Sequence, residues 1–160
     1  METSTESALQ PLNRLVGNWS TEATHPALPG AVVRGTVAIE WLEGRRFLIL
    51  RSHNDHPDFP DAILIVGFTD VDRVGADAGE STAASASRLS MHYFDSRGVF
   101  RVFEVNIDAE AWHMWRNAPG FSQRFTGTFT DDGSAIVGRW QLSRDDEHWD
   151  DDLQILYRRQ

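Results

Sequence analysis

Arg101 stands between Val99 and Phe103 in an alternating stretch, so a guanidinium shares a face with apolar side chains. A charge in such company costs on the order of several kcal/mol unless it finds a partner or a ligand. Its planar fork suits the two oxygens of a carboxylate, or a carbonyl. The same parity holds Gln123 between Phe121 and Phe125, Arg116 after Met114, and Arg51 and His53 after Ile49. Tyr93 adds a phenol two residues after Met91. His92, Glu104 and His113 fall on the opposite parity and are expected to face outward. If that parity were inverted, they would form an inward acid–base cluster working near neutral pH. Tyr93, His92 and Glu104 are therefore the candidates for proton transfer.

Other chemistries find less support. His53-Asn54-Asp55-His56, with Asp58 and Asp61 nearby, has the residue types of a metal loop. Two histidines three apart suit a helix, however, and Pro57 and Pro60 forbid one here. No metal is expected. Cysteine and lysine are absent, which removes thiolate chemistry and lysine Schiff bases. No glycine-rich phosphate loop leads from a strand into a helix, and no Gly-x-Ser-x-Gly elbow occurs. No cofactor is expected. Asp150-Asp151-Asp152 is expected to be a solvated strand edge.

These residues need a scaffold, and Leu15 to Glu22 starts it. Leu12, Leu15 and Val16 have the spacing of a short apolar turn, and Gly17 breaks it. Trp19, Thr21 and Ala23 then alternate with Ser20, Glu22 and Thr24, as in a half-buried strand. Further strands are expected over 33–41, 46–53, 62–68, 88–94, 99–107, 111–116, 121–130, 135–143 and 149–158. Turns such as Glu43-Gly44-Arg45, Asn117-Ala118-Pro119-Gly120 and Asp131-Asp132-Gly133 separate them. Residues 69–87 are rich in Gly, Ala, Ser and Asp without periodicity, and are expected to form a long mobile loop at a barrel mouth.

About ten strands in sequence order must split into two sheets or close. The expectation is an all-β, up-and-down antiparallel barrel with a short N-terminal helical plug. Ten strands exceed the eight that side chains just fill, so an internal cavity follows. The more apolar parity gives an inner wall of Trp41, Phe47, Ile49, Met91, Tyr93, Phe103, Val105, Trp112, Met114, Phe121, Phe125 and Trp140. From it and the polar residues of the same parity, the expected ligand contacts are Trp41, Arg51, His53, Met91, Tyr93, Arg101, Phe103, Trp112, Met114, Gln123, Phe125 and Trp140.

The chain reads as one domain over 11–160 behind a disordered lead over 1–10. Its net charge is −9. That disfavours nucleic acid and anionic membranes as partners. No apolar run approaches a membrane span, and a cytoplasmic location is expected.

Leu15-Val16-Gly17-Asn18-Trp19-Ser20-Thr21-Glu22, ten meandering strands and the ending Leu153-x-x-Leu156-Tyr157-Arg158-Arg159 resemble the calycin superfamily. The nearest likeness is to lipocalin-like ten-stranded bacterial barrels, distantly related to nitrobindins. Met91-His92-Tyr93-Phe94-Asp95-Ser96-Arg97-Gly98 is similar to the Tyr/Phe-Asp-Ser-x-Gly hairpin of that group. The resemblance implies a barrel that binds a small molecule. Nitrobindins hold haem through a histidine in the last strands, whereas no histidine follows His148 here.

The leading expectation is a barrel that binds a small hydrophobic or aromatic molecule, with Arg101 orienting a polar group. One alternative is a cofactor-free cyclase, isomerase or small hydrolase in the same cavity. A second is haem or nitric-oxide binding. A homodimer through outward Phe94 and Trp115 is the further partner considered.

Overall fold

The computed structural model describes residues 3–69 and 88–160, with side chains from residue 6 onward. The expected loop over 69–87 lies outside the described residues except for Thr69, which ends a strand. The strands are β1 (Gly17–Thr24), β2 (Val33–Trp41), β3 (Phe47–Asn54), β4 (Ala62–Thr69) and β5 (Arg88–Asp95). They continue as β6 (Phe100–Ile107), β7 (Ala111–Arg116), β8 (Ser122–Phe129), β9 (Ala135–Ser143) and β10 (Asp150–Arg159). Each pairs antiparallel with its sequence neighbour, and β10 returns to β1 with Trp19 opposite Arg159. This closed all-β barrel leaves no free edge for another chain to extend. Among the described residues, no helix is long and apolar enough to cross a membrane.

The barrel has a plugged end and an open end. The lead, expected to be disordered through residue 10, is instead helical from Thr3 to Leu9 and passes into a 3₁₀ turn over Gln10–Leu15. The reason is a spacing of three. Leu9, Leu12 and Leu15 stack on one edge of a helix with three residues per turn, and all three are buried. Trp19 seals the plug by donating its indole N–H to the Leu15 carbonyl at 2.8 Å. Gly17, at φ 136°, turns the chain into β1 beneath the Arg159 guanidinium, where a Cβ would lie 2.7 Å from Nη1.

Above the plug, the barrel interior is packed with side chains. Gly127 and Gly138 face each other across β8 and β9, and the Phe125 ring occupies the space their side chains would need. Trp112 meets that ring edge-on at 5.0 Å, and Trp140 packs against it at 5.1 Å. Thr69 of β4 pairs with Arg88 of β5 at the plugged end.

The parity of β3 is the reverse of the expectation. Leu48 and Leu50 face inward, opposite Trp41 and Ile39, so Phe47, Ile49, Arg51 and His53 face outward. Phe47-Leu48-Ile49-Leu50 is apolar on both faces because the outer face of this sector is apolar too. There Ile49 pairs with Ile65, Ile63 with Phe94, and Phe94 with Phe100.

Candidate functional site

The open end holds a cavity of about 560 Å³. Its floor is Phe103 and Trp140, whose rings meet edge-on at 5.5 Å. Leu64, Tyr93 and Arg101 form one wall in consecutive register: Leu64 faces Tyr93, and Tyr93 faces Arg101. Gln123 stands across from them on β8. Two loops roof the opposite side, one bringing His25 and Leu28, the other Phe59 and Pro60. The rings of His25 and Phe59 touch edge-on at 6.4 Å.

Arg101 Nη1 donates to Gln123 Oε1 at 3.1 Å, and the guanidinium lies 5.2 Å from the Phe121 ring. Among the described residues it has no carboxylate within ion-pair reach. Gln123 is 8% exposed and spends its carbonyl on Arg101, which leaves its amide N–H groups as donors.

Tyr93 is fixed from the other side. Its hydroxyl donates to Asp95 Oδ2 at 2.8 Å, and Arg97 reaches the same oxygen with Nη2 at 2.7 Å and Nε at 3.2 Å. Oδ1 accepts the Arg97 and Val99 backbone N–H groups at 2.9 and 3.2 Å. Burial alone would raise the Asp95 carboxyl, but these donors outweigh it and hold it well below the usual carboxylate range. Burial, with the Asp95 charge beside it, pushes the Tyr93 phenol up to about 12. Tyr93 thus keeps its proton at neutral pH and directs it at Asp95.

His25 is tied as firmly. Its Nδ1 accepts the Ala27 N–H at 3.0 Å, and its Nε2 meets Asp152 Oδ1 at 2.7 Å. The first contact requires a lone pair on Nδ1, so Nε2 carries the proton toward Asp152. Asp152 reaches the cavity because β10 bulges: two residues lie between Asp151 and Gln154 where one lies between Gln141 and Arg139. The aspartate run is therefore divided. Asp151 bonds Arg139 and Gln141 on the outer face, as a solvated edge would, and Asp152 turns inward.

Five of the residues singled out from the sequence meet at this cavity: Tyr93, Arg101, Phe103, Gln123 and Trp140. Met91, Trp112, Met114 and Phe125 lie below it in the packed core, each 2% exposed or less. Trp41 packs at the plugged end and donates to Asn13 Oδ1 at 2.9 Å. Arg51 and His53 are outside, bonded to Glu40 and Asp61. Glu104 pairs with Arg88 on the outer face, and His92 stacks on exposed Phe100. The proton-transfer candidates are thus split, with only Tyr93 at the cavity. His25, Phe59, Arg97 and Asp152 also line the cavity but are not among the residues expected at a site. The loop prolines and the Tyr-Phe-Asp-Ser-Arg-Gly hairpin were the available signals for three of them.

Another hollow, of about 360 Å³, lies outside the plug. In it Trp41 Nε1 and Arg45 Nη2 both donate to Asn13 Oδ1, whose amide nitrogen donates to Gln10. Among the described residues, no three His, Asp or Glu side chains converge as a metal site would need.

No protein-family model and no curated protein sequence matches this chain. Among solved structures it is similar to the crystal structure of Rv2717c from M. tuberculosis. The TM-score is 0.61 at 13% identity, over 96% of this chain and 97% of that one. At that identity the likeness shows the fold alone.

Proposed function

We propose that this barrel binds a small, flat, largely apolar molecule with one polar end in its open-end cavity. The observation that carries this reading is Arg101. A half-buried guanidinium with most of its N–H donors unspent, above an aromatic floor, is costly in an empty site and favourable once a ligand oxygen arrives. The volume falls within the range of small-molecule sites. Trp140 reports occupancy, so an apolar ligand should change its fluorescence, and Trp140→Phe should remove that change. Native mass spectrometry of the protein purified from its own host offers the direct test. An adduct released on unfolding supports the reading. A bare chain that also binds no member of an aromatic library ends it.

The alternatives inherit less. A histidine base needs a free ring nitrogen, and both nitrogens of His25 are engaged. Tyr93 at about 12 is a poor proton donor or acceptor at neutral pH. Haem does not fit these residues either: β10 has no histidine, and His148 lies in the preceding turn bonded to Asp145. A second reading, self-association, is favoured by the outer stripe of Ile63, Phe94, Phe100 and Val102, all exposed. Sedimentation at rising concentration, with Phe94→Glu and Phe100→Glu as controls, tests it.

A further inference from the structure

We infer that the ligand is a monocarboxylic acid on a flat ring system, carrying a separate hydroxyl or amino donor, with its carboxylate on Arg101 and its donor on Tyr93 Oη. This rests on the cavity reading above and follows from which atoms still have hydrogen-bonding capacity. Asp95 accepts from Tyr93, from the Arg97 side chain and from two backbone N–H groups. It is an ionised acceptor with no proton to return. The Tyr93 hydrogen is therefore committed away from the cavity, and its oxygen can only accept. A ligand group meeting Tyr93 must be a donor.

The opposite holds on the adjacent strand. Arg101 is Tyr93's direct cross-strand partner, with Cβ atoms about 5 Å apart. Their tips then diverge, Tyr93 toward Asp95 and Arg101 toward Gln123. Arg101 and the Gln123 amide present only donors, so a ligand group there must accept, and an uncompensated guanidinium selects an anion over a neutral carbonyl. The charge is limited to one. Arg97 is already neutralised by Asp95, while Asp58 and Asp152 stand at the cavity lining and oppose a second negative group. Phe103 and Trp140 supply the flat surface below.

The probes are 2-naphthoate, 6-hydroxy-2-naphthoate, 2-naphthamide and 2-naphthol, measured by calorimetry on the intact chain. The acids should bind about tenfold or more tightly than the amide. Arg101→Met should erase that advantage and leave 2-naphthol unchanged. The hydroxy acid should exceed the plain acid several-fold, and Tyr93→Phe should bring the two level. Circular dichroism shows that each variant is folded, and unchanged binding of 2-naphthol by Arg101→Met and of 2-naphthoate by Tyr93→Phe shows that each keeps the cavity. If the amide matches the acids, or Arg101→Met leaves their ranking intact, the acid assignment falls and the cavity reading survives. If the donor brings no gain that Tyr93→Phe removes, the Tyr93 assignment is overturned. If none of the four binds and native mass spectrometry shows a bare chain, both readings fall together.

Discussion

Arg159 at the plugged end of the barrel and Arg101 at the open end stand in opposite circumstances. At the plugged end, Arg159 donates Nη1 to the Val16 carbonyl at 2.6 Å and Nη2 to the Arg14 carbonyl at 2.8 Å, and lies 4.2 Å over the Trp19 ring. Arg14 likewise donates to the Ala109 carbonyl and covers Phe129. Trp19 and Trp41 both have partners for their indole N–H groups. At the open end, Arg101 has one amide and one ring. The same residue type, beside the same kinds of aromatic, is mated by the protein in one place and left with spare donors in the other. Arg159 is satisfied within the fold, whereas Arg101 has donors to spare for the ligand proposed above.

This contrast can be broken by substitution. The largest effect belongs to Trp19→Ala, which empties the centre of the plug and should cost about 3–5 kcal/mol in denaturant unfolding. Asp95→Asn comes next. It removes the charge and one of the two acceptor oxygens that Tyr93, Arg97 and two backbone N–H groups share, at about 1–3 kcal/mol. It should also change the acid limb. The folded-state pKa of Asp95 is depressed, so its contribution is complete above the unfolded-state value of roughly 4 and fades as pH falls below it. The variant should lose stability less steeply than the parent in that window. Urea midpoints measured from pH 6 down to pH 2 decide this.

The sharpest form of the comparison pairs two equal substitutions. Arg159→Met should lower stability by about 1–2 kcal/mol, because two carbonyls and a ring lose their cation. Arg101→Met should raise it by up to about 1 kcal/mol in the absence of ligand, because a half-buried cation disappears from apolar surroundings. Opposite signs in matched melts support the division of labour, and a shared negative sign would make Arg101 structural. The smallest effect is expected of Glu104→Gln on the outer wall, within about 0.5 kcal/mol and without effect on ligand binding.

Much of this was legible before folding. The alternation of Val33 to Trp41 and of Phe121 to Phe129 reports strands, because a half-buried sheet demands period two. Short turns between ten such stretches leave a meander little choice but closure. Arg101 and Gln123 stood out because charge and amide among apolar residues of one parity must be accounted for. Leu12 and Leu15 report the plug by their spacing, whereas Leu9 reads as part of a disordered lead because the polar residues before it conceal a helix that needs the barrel end to pack against.

Other features depended on partners distant in the chain. The direction of β3 was undetermined because Phe47 to Leu50 is apolar on both faces, and only its register with Ile39 and Trp41 turns Leu48 inward. How far up the cavity is filled depends on Phe125 folding over Gly127 and Gly138, residues from two strands. Asp152 enters the site through a bulge, one residue of extra length that no periodicity announces. Local pattern therefore determined which residues share a strand face. Cross-strand register, which is a property of pairs far apart in sequence, decided which face is inside and which polar atoms remain unspent.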